Sequence, residues 1–534
     1  MRFTTGERMG RIDRITIEDY KVSNDALMET AGQLTARHIR NNFLSDTQQE
    51  SILILCGKGH NGADGLVVAR WLDKWGYRVR VLLAEEEEDC SEMIQKQSVC
   101  LHKENSVQLE VYQPGEMLPA ADLYVDALLG TGLSGEPRRP FDEMIDRLNR
   151  KNNPVVCVDI PSGLPGDYHL PYTPCVDGNL TVTMGLPKIG MLLEPGYTQA
   201  GTVIVQELGF PETVYEDHAG PCHLISGFEM AEFLPGRLQT DHKGSAGRVG
   251  VVAGSQKYPG AAFLTANAAS RMGAGLVSLL GPENIIQNQS RGERDLVFPF
   301  TQQEIIGDEY EDEQIDEYIN RQDAFIIGPG LDQNQNKKSL LEKILPKLDC
   351  PVVIDADGLN NFTENPSDLK KCTQAVLTPH PGEASRLLNR SLNTILKKPV
   401  ESARKLSEIT GHTVVLKTSR PVVAHPDDSY SINVSGSAAL AKAGSGDVLT
   451  GMIGGLLAQR VDPGPAACLG LYLHGAAGRL VENDKNTITV KSEDLINKIP
   501  GAVDSLAEFE QPSWFPLKFE GHSRSTLSWH PFPI

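Results

Sequence analysis

The feature that most constrains the fold is a recurring pattern, in which a short apolar run leads directly into a glycine-rich turn. The first run lies at residues 51–56, and the turn at 57–65 contains four glycines. A helical pattern at 66–75 and a second apolar run at 78–83 follow. Short apolar runs bounded by turns predict strands buried on both faces, and the order strand, turn, helix, strand is a βαβ unit. We therefore predict an α/β protein whose glycine-rich turns lie at the carboxyl ends of parallel strands, where such sheets bind ligands.

Two later strand ends in the first half of the chain repeat this pattern. Runs at 121–126 and 154–159 each lead into a loop of small residues, and each ends in an aspartate, Asp126 or Asp159. A single aspartate at such a position is usually a cap. Three glycine-rich strand ends in one domain instead favour a shared ligand site at the carboxyl edge of the sheet.

A second series of strand-like runs begins after residues 211–228, where the periodicity is lost and we predict a linker. These runs and their loops lie at 248–255, 324–330, 351–358, 375–383 and 413–418. Because 534 residues are too many for one hydrophobic core, we expect two domains, at 1–215 and 226–505, and we assign no role to the tail 506–534. At the start of the first domain, the pattern predicts one helix over 11–32.

Residues 443–451, late in the second series, place small residues directly before an apolar, helix-compatible run. Backbone N–H groups at such a helix start can hold a phosphate without hindrance from Cβ atoms. Asp447 would then lie on the first helical turn, where a carboxylate beside a phosphate is better suited to act as a base than to bind an anion. Taken alone, the motif favours a simple helix cap, so its context has to decide.

The charge balance excludes several classes of partner. With 70 acidic and 50 basic residues, the net charge of −20 argues against nucleic acid or an anionic membrane surface. The nine cysteines are scattered, odd in number and without a C-x-x-C pair, which indicates a reducing compartment and neither a zinc site nor a disulfide framework. We also find no signal-peptide pattern and no long apolar run, so we expect a cytoplasmic protein that binds small molecules.

In their order along the chain, the motifs resemble those of the bifunctional NAD(P)H-hydrate repair enzymes. The first half carries Leu-Met-Glu-x-Ala-Gly at 27–32, the turn at 57–65, Asp126 with the loop 130–135, Asp-Ile-Pro-Ser-Gly-Leu at 159–164, and Lys188. The second half carries His-Lys-Gly at 242–244 and further motifs at 259–262, 273–277, 328–330, 355–359, 378–383, 416–417 and 444–447. Any one motif would be weak, but the ordered set is specific. The resemblance implies an N-terminal epimerase domain with a Rossmann-like three-layer αβα fold and a C-terminal ADP- or ATP-dependent dehydratase with a ribokinase-like α/β fold.

By this resemblance, the first domain equilibrates the C6 epimers of hydrated NADH and NADPH, and Asp159 is its acid/base. The residues that the resemblance places on this substrate are His60, Asn61, Gly62, Ala63, Asp64, Gly130, Thr131, Gly132, Leu133, Ser134, Gly135, Glu136 and Asp159. It also implies a potassium ion held by Asn61, Asp126 and Ser162. The residues alone do not select potassium, and a turn hydroxyl is the ordinary role of a serine such as Ser162.

The resemblance further implies that the second domain phosphorylates the C6 hydroxyl of the S epimer and lets phosphate leave. Asp447 would take the hydroxyl proton, while the N–H groups of 444–446 stabilise the transferred phosphoryl group. The implied substrate residues are Ala261, Gly330, His380 and Asp447, and the implied nucleotide residues are Lys417, Thr418, Ser419, Arg420, Gly444, Ser445 and Gly446. Mg²⁺ would accompany ADP or ATP. On its position between two prolines, His380 is equally suited to a rigid turn.

Some residues depart from the family pattern and keep other interpretations open. His60 and Ala63 replace an asparagine and a glycine of the usual loop, Pro165 replaces an aspartate, and Thr418 replaces a glycine. One alternative is a ribokinase-like small-molecule kinase with an N-terminal dinucleotide-binding sensor module. Another makes the first domain a binding module without catalysis. We also expect a homo-oligomer, whose order the residues do not define.

Overall fold

The computed structural model describes residues 1–45, 48–104, 107–168, 170–283, 286, 296–299, 301–306, 311–507 and 517–519. It divides into two compact units, Arg2–Gly220 and Pro221–Pro512; Met1 groups with the second unit and residues 517–519 with the first. Among the helices in these described ranges, none combines the length and the apolar character that crossing a bilayer requires.

The first unit is built on one eight-stranded sheet. Its strands are β1 (Ser51–Cys56), β2 (Arg78–Leu83), β3 (Gln108–Val111), β4 (Leu123–Ala127), β5 (Val155–Val158), β6 (Leu180–Met184), β7 (Thr202–Gln206) and, from the end of the chain, a strand at Leu517–Phe519. The order across the sheet is Leu517–Phe519, β7, β6, β5, β4, β1, β2, β3, and all pairs are parallel except that of Leu517–Phe519 with β7. Its α-helices are Gly6–Glu18, Asn24–Phe43, His60–Lys74, Glu92–Glu104, Phe141–Asn149, Gly196–Ala200 and Glu212–His218, with short 3₁₀ turns at Glu87–Asp89 and Ile189–Met191.

Strand β1 shows why this sheet needs helices on both faces. Successive side chains of a strand point to opposite faces, and in β1 both sets are apolar. Ile52 and Ile54 join a core with the helices Asn24–Phe43 and His60–Lys74. Leu53 and Leu55 join a second core with the helix Phe141–Asn149. The sheet is therefore the middle layer of a three-layer αβα unit.

The second unit contains a ten-stranded sheet. Its strands are β8 (Cys222–Ile225), β9 (Arg248–Val252), β10 (Leu276–Leu280), β11 (Leu296–Val297), β12 (Ala324–Ile327), β13 (Val352–Ile354), β14 (Ala375–Leu377), β15 (Thr413–Leu416), β16 (Val422–Ala424) and β17 (Tyr430–Asn433). The order is β11, β10, β9, β12, β13, β14, β15, β16, β17, β8, and only β16 runs antiparallel to its neighbours.

The helices of the second unit are Gly227–Ala231, Pro259–Arg271, Gln302–Ile306, Asp312–Ile319, Gln335–Ile344, Asp357–Asn360, Pro381–Leu388, Leu392–Lys397, Pro399–Thr410, Ser445–Ala458, Pro463–Asp484 and Ser492–Ala507, with 3₁₀ turns at Leu345–Lys347, Pro366–Lys371, Ala438–Leu440 and Thr487–Thr489. The glycine-rich helix Ser445–Ala458 packs closely on Pro259–Arg271. A Cβ at Gly451 would lie 2.3 Å from the carbonyl oxygen of Thr265, and one at Gly454 would lie 2.3 Å from Ile326 Cδ1 of β12. Glycine at these positions is what lets this helix lie against both neighbours.

The prediction of two α/β units built on mainly parallel sheets is confirmed, but two local predictions are wrong. Residues 11–32 are not one helix, because Gly6–Glu18 ends before Lys21, whose φ is +59°, and Asn24–Phe43 starts a new helix. The segment predicted as a linker contains the helix Glu212–His218 and the strand β8. Strand β8 forms because it pairs in parallel with β17, about 200 residues later in the chain, and no local pattern carries that information.

Two candidate active sites

The first unit holds a cavity of about 1000 Å³ at the carboxyl ends of its central strands. Of the residues that the sequence placed on the epimerase substrate, His60, Asn61, Asp64, Gly130, Thr131, Gly132, Leu133, Ser134, Glu136 and Asp159 line this cavity. Gly62, Ala63 and Gly135 do not line it. Gly62 instead lies against the backbone, where a Cβ would be 1.9 Å from the carbonyl oxygen of Gly57. Ala63 is buried in the core and donates its N–H to the carbonyl oxygen of Gly59, at 3.2 Å.

Asp159 lines this cavity in a fixed position. It follows β5 with a φ of +63°, a conformation that is uncommon for a residue with a Cβ, and its N–H donates to Val182 on the neighbouring strand. Its Oδ1 accepts hydrogen bonds from Thr183 Oγ1 and the N–H of Met184, each at 3.1 Å. The neighbouring strand β6 therefore orients the carboxylate.

Lys188 is the third partner of Asp159 and is almost fully buried. Its ammonium group donates to Asp159 Oδ1, to Thr183 Oγ1 at 3.0 Å and to the carbonyl oxygen of Met184 at 3.0 Å. Because these three bonds use all of its hydrogens, Lys188 holds Asp159 and has no donor left for a ligand. The sequence quoted Lys188 only as part of a motif, and the fold gives it this positioning role.

Two more carboxyl groups face the same cavity. Burial raises the pKa of Asp13 to about 6, Lys188 opposes the shift and Asp159 adds to it. Burial also raises the pKa of Asp64 well above its usual value, and Asp159 and Asp13 act in the same direction. Burial therefore disfavours the ionised form of both carboxyl groups in this cavity. The sequence missed Asp13, although its spacing from the buried Met9 and Thr16 places it on the inward face of its helix.

Asn61, Asp126 and Ser162 meet below the loop that follows β4. Asp126 is fully buried, and its carboxylate accepts from the N–H of Ser162 at 2.8 Å and from Ser162 Oγ at 2.6 Å. Asn61 Nδ2 donates to the carbonyl oxygen of Leu129 at 3.2 Å, and the N–H of Leu129 donates to Ser162 Oγ at 2.8 Å. Burial raises the pKa of Asp126, while the hydrogen bonds from Ser162 and Leu128 oppose the shift.

The amide oxygen of Asn61 is buried and has no hydrogen-bond partner in the described part of the chain. A buried acceptor without a partner is costly unless a cation or water satisfies it. Within the same described ranges, no group of three histidine, cysteine, aspartate or glutamate side chains could hold a metal. The oxygen atoms around Asn61 are amide, hydroxyl, carbonyl and a single carboxylate, which suits a hard cation of low charge.

The second site lies at the start of the helix Ser445–Ala458. Gly444 is its N-cap, with a φ of +88°, and Asp447 lies in the first turn. A Cβ at Gly444 would lie 2.7 Å from both Leu264 Cδ1 and Ser492 Oγ, so both the conformation and the space require glycine. Ser445 is buried and shares a hydrogen bond of 3.2 Å with His474.

Lys417 and Asp355 form an ion pair beside this helix start. Lys417 Nζ lies 2.6 Å from Asp355 Oδ1 and 3.5 Å from the point where a Cβ of Gly446 would lie. Asp355 is almost fully buried and also accepts from Thr450 Oγ1 at 2.7 Å and from the N–H of Ala356 at 2.8 Å. Burial lowers the pKa of Lys417, but Asp355 and Glu383 outweigh it, so the pKa lies above its ordinary value and the ammonium stays charged.

Asp447 and Glu383 complete the charged group. Burial raises the pKa of Asp447 to about 7, Asp355 and Glu383 add to the shift, and Lys417 opposes it. Burial likewise raises the pKa of Glu383 to about 7, with Lys417 again opposing. No described residue donates a hydrogen bond to the carboxylate of Asp447, so it is available to a ligand. A carboxylate that titrates near neutral pH is suited to general-base catalysis.

His380 caps the helix Pro381–Leu388. Its Nδ1 accepts from the N–H of Gly382 at 2.9 Å, and its Nε2 lies 3.3 Å from Glu383 Oε1. This network assigns the proton of the neutral ring to Nε2. Burial lowers the pKa of His380, and Lys417 acts in the same direction, which favours the neutral form. The rigid-turn role that the sequence allowed for His380 is therefore present, and half of the side chain remains exposed, so its role on the substrate stays a prediction.

The remaining predicted residues of this site differ in their positions. Gly330, with a φ of +60°, packs beside Ala261, since a Cβ at Gly330 would lie 2.9 Å from that of Ala261. Arg420 is buried, and its guanidinium donates to the carbonyl oxygen of Val434 at 2.5 Å, while Thr418 Oγ1 donates to the carbonyl oxygen of Arg420 at 2.6 Å. The side chain of Arg420 therefore holds its own loop.

Comparisons with known proteins match both halves of the chain to known families. One family model, described as NAD(P)H-hydrate dehydratase, matches residues 249–501, and a second, described as the N-terminus of YjeF-related proteins, matches residues 24–190. The bifunctional NAD(P)H-hydrate repair enzyme Nnr of Moorella thermoacetica is 35% identical over 95% of this chain and 98% of its own. The enzyme of the same name from Salinibacter ruber is 33% identical over 93% of this chain and 95% of its own.

The chain belongs to the bifunctional NAD(P)H-hydrate repair enzymes. The family prediction made from the motifs is therefore confirmed. Among solved structures, the ADP/ATP-dependent NAD(P)H-hydrate dehydratase from Bacillus subtilis, co-crystallised with ATP and Mg²⁺, is 30% identical with a TM-score of 0.47 and covers 53% of this chain and 98% of its own. A ribokinase-like superfamily protein from Enterococcus faecalis is 22% identical with a TM-score of 0.47 and covers 54% of this chain and 97% of its own.

The matched ranges of this family separate the residues of the two sites. Asp64, Asp159 and Lys188 lie within the range 24–190 of the first model, whereas Asp13 precedes it. The charged group around Asp447 lies within the range of the second model.

Proposed function

We propose that this chain repairs hydrated NADH and NADPH through two activities. The first unit interconverts the R and S epimers at C6, and the second dehydrates the S epimer to NADH or NADPH with ADP or ATP as the phosphoryl donor. The observation that carries the proposal is the available carboxylate of Asp447, with a pKa of about 7, beside the ammonium of Lys417 at a glycine-lined helix start.

The dehydration follows from this arrangement in two steps. Asp447 accepts the proton of the C6 hydroxyl as that oxygen attacks the terminal phosphorus of the nucleotide, and the bond to the leaving nucleotide breaks. Lys417 and the N–H groups at residues 444–446 stabilise the negative charge on the transferred phosphoryl group. The lone pair of the ring nitrogen then expels phosphate from C6, and loss of a proton from C5 restores the double bond. Mg²⁺ enters with the nucleotide as part of the co-substrate.

The epimerisation uses the cavity of the first unit. C6 carries a hydroxyl beside a ring nitrogen, so its configuration is lost when the ring opens or when the hydroxyl leaves and a C6=N1 iminium forms. Asp159, paired with the buried Lys188, is the acid/base that moves the proton. The start of the helix His60–Lys74 lies on the same cavity, where its N–H groups suit a pyrophosphate.

The proposal includes a potassium ion held by Asn61, Asp126 and Ser162. The buried amide oxygen of Asn61, which lacks a partner in the described residues, fits such an ion. When bound, the ion would satisfy these oxygens and supply positive charge close to the substrate phosphates.

Incubation with hydrated NADH and either ADP or ATP tests the whole proposal. Pure S epimer should return the NADH absorbance with one phosphate released for each NADH, and pure R epimer should do so after epimerisation. A stable phosphorylated product without recovery of NADH would instead identify a kinase. If the S epimer is consumed but the R epimer disappears no faster than it converts spontaneously, the first unit is a binding module.

Finer assignments belong to the same proposal. We assign the epimerase to residues 1–215 and the dehydratase to 226–505, and the division between Gly220 and Pro221 supports this assignment. A cytoplasmic location is supported by the nine cysteines, which all lie in described parts of the chain and are all unpaired there. A homo-oligomer is part of the proposal, and light scattering from the purified chain tests it.

A further inference from the structure

Asp13 lies on the same cavity as Asp159 but comes from a different part of the fold. It is on the helix Gly6–Glu18, whereas Asp159 follows β5. Both carboxyl groups line the cavity together with Lys188, which forms an ion pair with Asp159 and lowers the pKa of Asp13 electrostatically. The hydrogen bonds of Lys188 go to Asp159, Thr183 and Met184, which leaves Asp13 without a direct hydrogen bond from it.

Three carboxyl groups share one buried cation in this cavity. Asp13, Asp64 and Asp159 face one buried cation, Lys188, whose charge offsets that of Asp159. A second ionised carboxyl group in such a place is costly unless another positive charge is present. The ionised form of a hydrated nicotinamide is a positive charge of this kind, because loss of the C6 hydroxyl leaves a C6=N1 iminium cation.

From this geometry, and on the basis of the proposed epimerase function, we propose that Asp13 is a second acid/base of the epimerase and acts opposite Asp159. The carboxyl group of Asp13 donates its proton to the C6 oxygen while the C6–O bond breaks. The bonding pair leaves with the oxygen as water, and the lone pair of N1 forms the C6=N1 bond. A water molecule then adds to the other face of C6, and Asp159 takes its proton as the new C–O bond forms.

The reverse epimerisation uses the same two groups with their roles exchanged, as microscopic reversibility requires. One water is released and one consumed, and one proton passes from Asp13 to Asp159, so no oxidant or other reactant is needed. The pair then returns to its starting state through solvent or by a turnover in the opposite direction.

Asp13 is better suited to this role than Asp64. A catalytic group should titrate near the working pH. The pKa of Asp13, raised by burial to about 6, meets this condition. Burial raises the pKa of Asp64 well above its usual value, and Asp159 and Asp13 act in the same direction, which disfavours its ionised form.

Other charged and titratable groups line the same cavity or interact with Asp13. They are Arg14 and Glu18 on its own helix, Lys58, His60 and Asp64 in or near the glycine-rich turn, Glu85, Glu136, Arg138, Arg139, Asp159, Lys188, and Tyr215 on the helix Glu212–His218. Of these, Lys188 lowers the pKa of Asp13 and Asp159 raises it. The pH dependence below is therefore that of a coupled set rather than of one isolated carboxyl group.

Oxygen exchange provides a direct test of the mechanism. Wild-type protein is mixed with pure R epimer in H₂¹⁸O without nucleotide, and the S epimer is analysed by mass spectrometry. We expect one ¹⁸O at C6 for each enzymatic inversion, beyond the uncatalysed exchange. Inversion that retains ¹⁶O would indicate ring opening and overturn the proposal. If the epimers interconvert no faster with the wild-type protein than without it, the proposed epimerase function itself is refuted.

Three variants test the residue. Asp13→Asn should slow epimerisation by about 10²- to 10⁴-fold, the usual range for loss of a general acid or base. Asp13→Glu should recover at least part of the rate, since it keeps the carboxyl group. Glu7→Gln, which makes the same kind of change at an exposed position of the same helix, should leave the rate unchanged.

The pH profile separates catalysis from folding. The wild-type rate should fall as pH rises above about 6, because Asp13 loses the proton that it must donate. Asp13→Asn should lose this limb while keeping its residual rate, which a merely destabilised protein would not do. An Asp13→Asn variant as fast as Glu7→Gln, or one that is slow but keeps the wild-type profile, would overturn the role of Asp13.

Discussion

Replacement of Lys417 by methionine tests the electrostatics of the second site. Methionine has a similar length but no charge, so Lys417→Met removes the cation that faces Asp355, Glu383 and Asp447. Asp355 is almost fully buried and lies 2.6 Å from Lys417 Nζ. Removal of one partner from a buried ion pair costs about 3–5 kcal/mol, because a charge is left buried and unpaired.

This cost has an upper limit, because Asp355 can bind a proton in the variant and then carries no unpaired charge. An ordinary aspartate titrates near pH 4, so protonation at pH 7 costs about 4 kcal/mol, at about 1.4 kcal/mol for each pH unit. At pH 5 the same limit is about 1.5 kcal/mol. Asp447 and Glu383, whose pKa values burial raises to about 7, take up protons at little further cost. We therefore expect Lys417→Met to lower the free energy of unfolding by about 3–4 kcal/mol at pH 7 and by about 1.5 kcal/mol at pH 5. The loss is larger at pH 7 because a carboxyl group that binds its proton more tightly in the folded state than in the unfolded state makes the folded protein less stable as pH rises.

Urea unfolding at the two pH values measures this difference. Circular dichroism follows both units, whereas Trp71 and Trp75 lie in the first unit and residues 221–512 contain no tryptophan. The fluorescence of Trp71 and Trp75 should therefore change little in the variant. Lys405→Met is the matched control, because its ion pair with Glu408 is exposed and should contribute less than about 1 kcal/mol. A loss at pH 7 no larger than that of Lys405→Met, or an equal loss at both pH values, would refute the reasoning.

Three further predictions concern single residues. Asp447→Asn should abolish dehydration, measured by recovery of NADH absorbance, and should spare interconversion of the epimers. The wild-type dehydration rate, measured in the same way, should rise with pH through about 7 as Asp447 ionises. Asp159→Ala should abolish interconversion of the epimers, followed by chromatography; unchanged interconversion would show that the acid/base assignment is wrong. Gly444→Ala should lower the free energy of unfolding of the second unit, measured by thermal unfolding, by about 1–3 kcal/mol, because a φ of +88° and close contacts with Leu264 and Ser492 both oppose a Cβ. Gly411→Ala, with a φ of +71° but no atom near its Cβ, isolates the conformational part, and equal losses in the two variants would rule out the contribution of the contacts.

Local patterns were sufficient to predict many of the central strands of both sheets. The run at 51–56 coincides with β1, and the run at 154–159 contains β5. These strands are buried on both faces, so continuous apolar runs between turn residues mark them clearly. The same local information placed Asp447 on the first turn of a helix.

Edge and irregular elements were harder to predict, for a physical reason. Strand β8 is short, and it is stabilised by hydrogen bonds to β17 rather than by its own pattern. The break between the first two helices includes Lys21 in a left-handed conformation, which local preference disfavours for a residue with a Cβ. The pairing of β8 with β17 depends on contacts between residues far apart in the chain.

The sequence by itself determined the α/β class, the presence of two units and the family, because each depends on short motifs whose residues are adjacent in the chain. Only the tertiary structure brought Asp13 to the cavity of Asp159 and placed Glu383 and Asp355 around Asp447. Burial and the distances between charges determine the protonation of such groups, and both quantities exist only when separate strands and helices pack together. The chemistry of the two sites is therefore a property of the folded chain, whereas the loops that carry it are already visible as motifs.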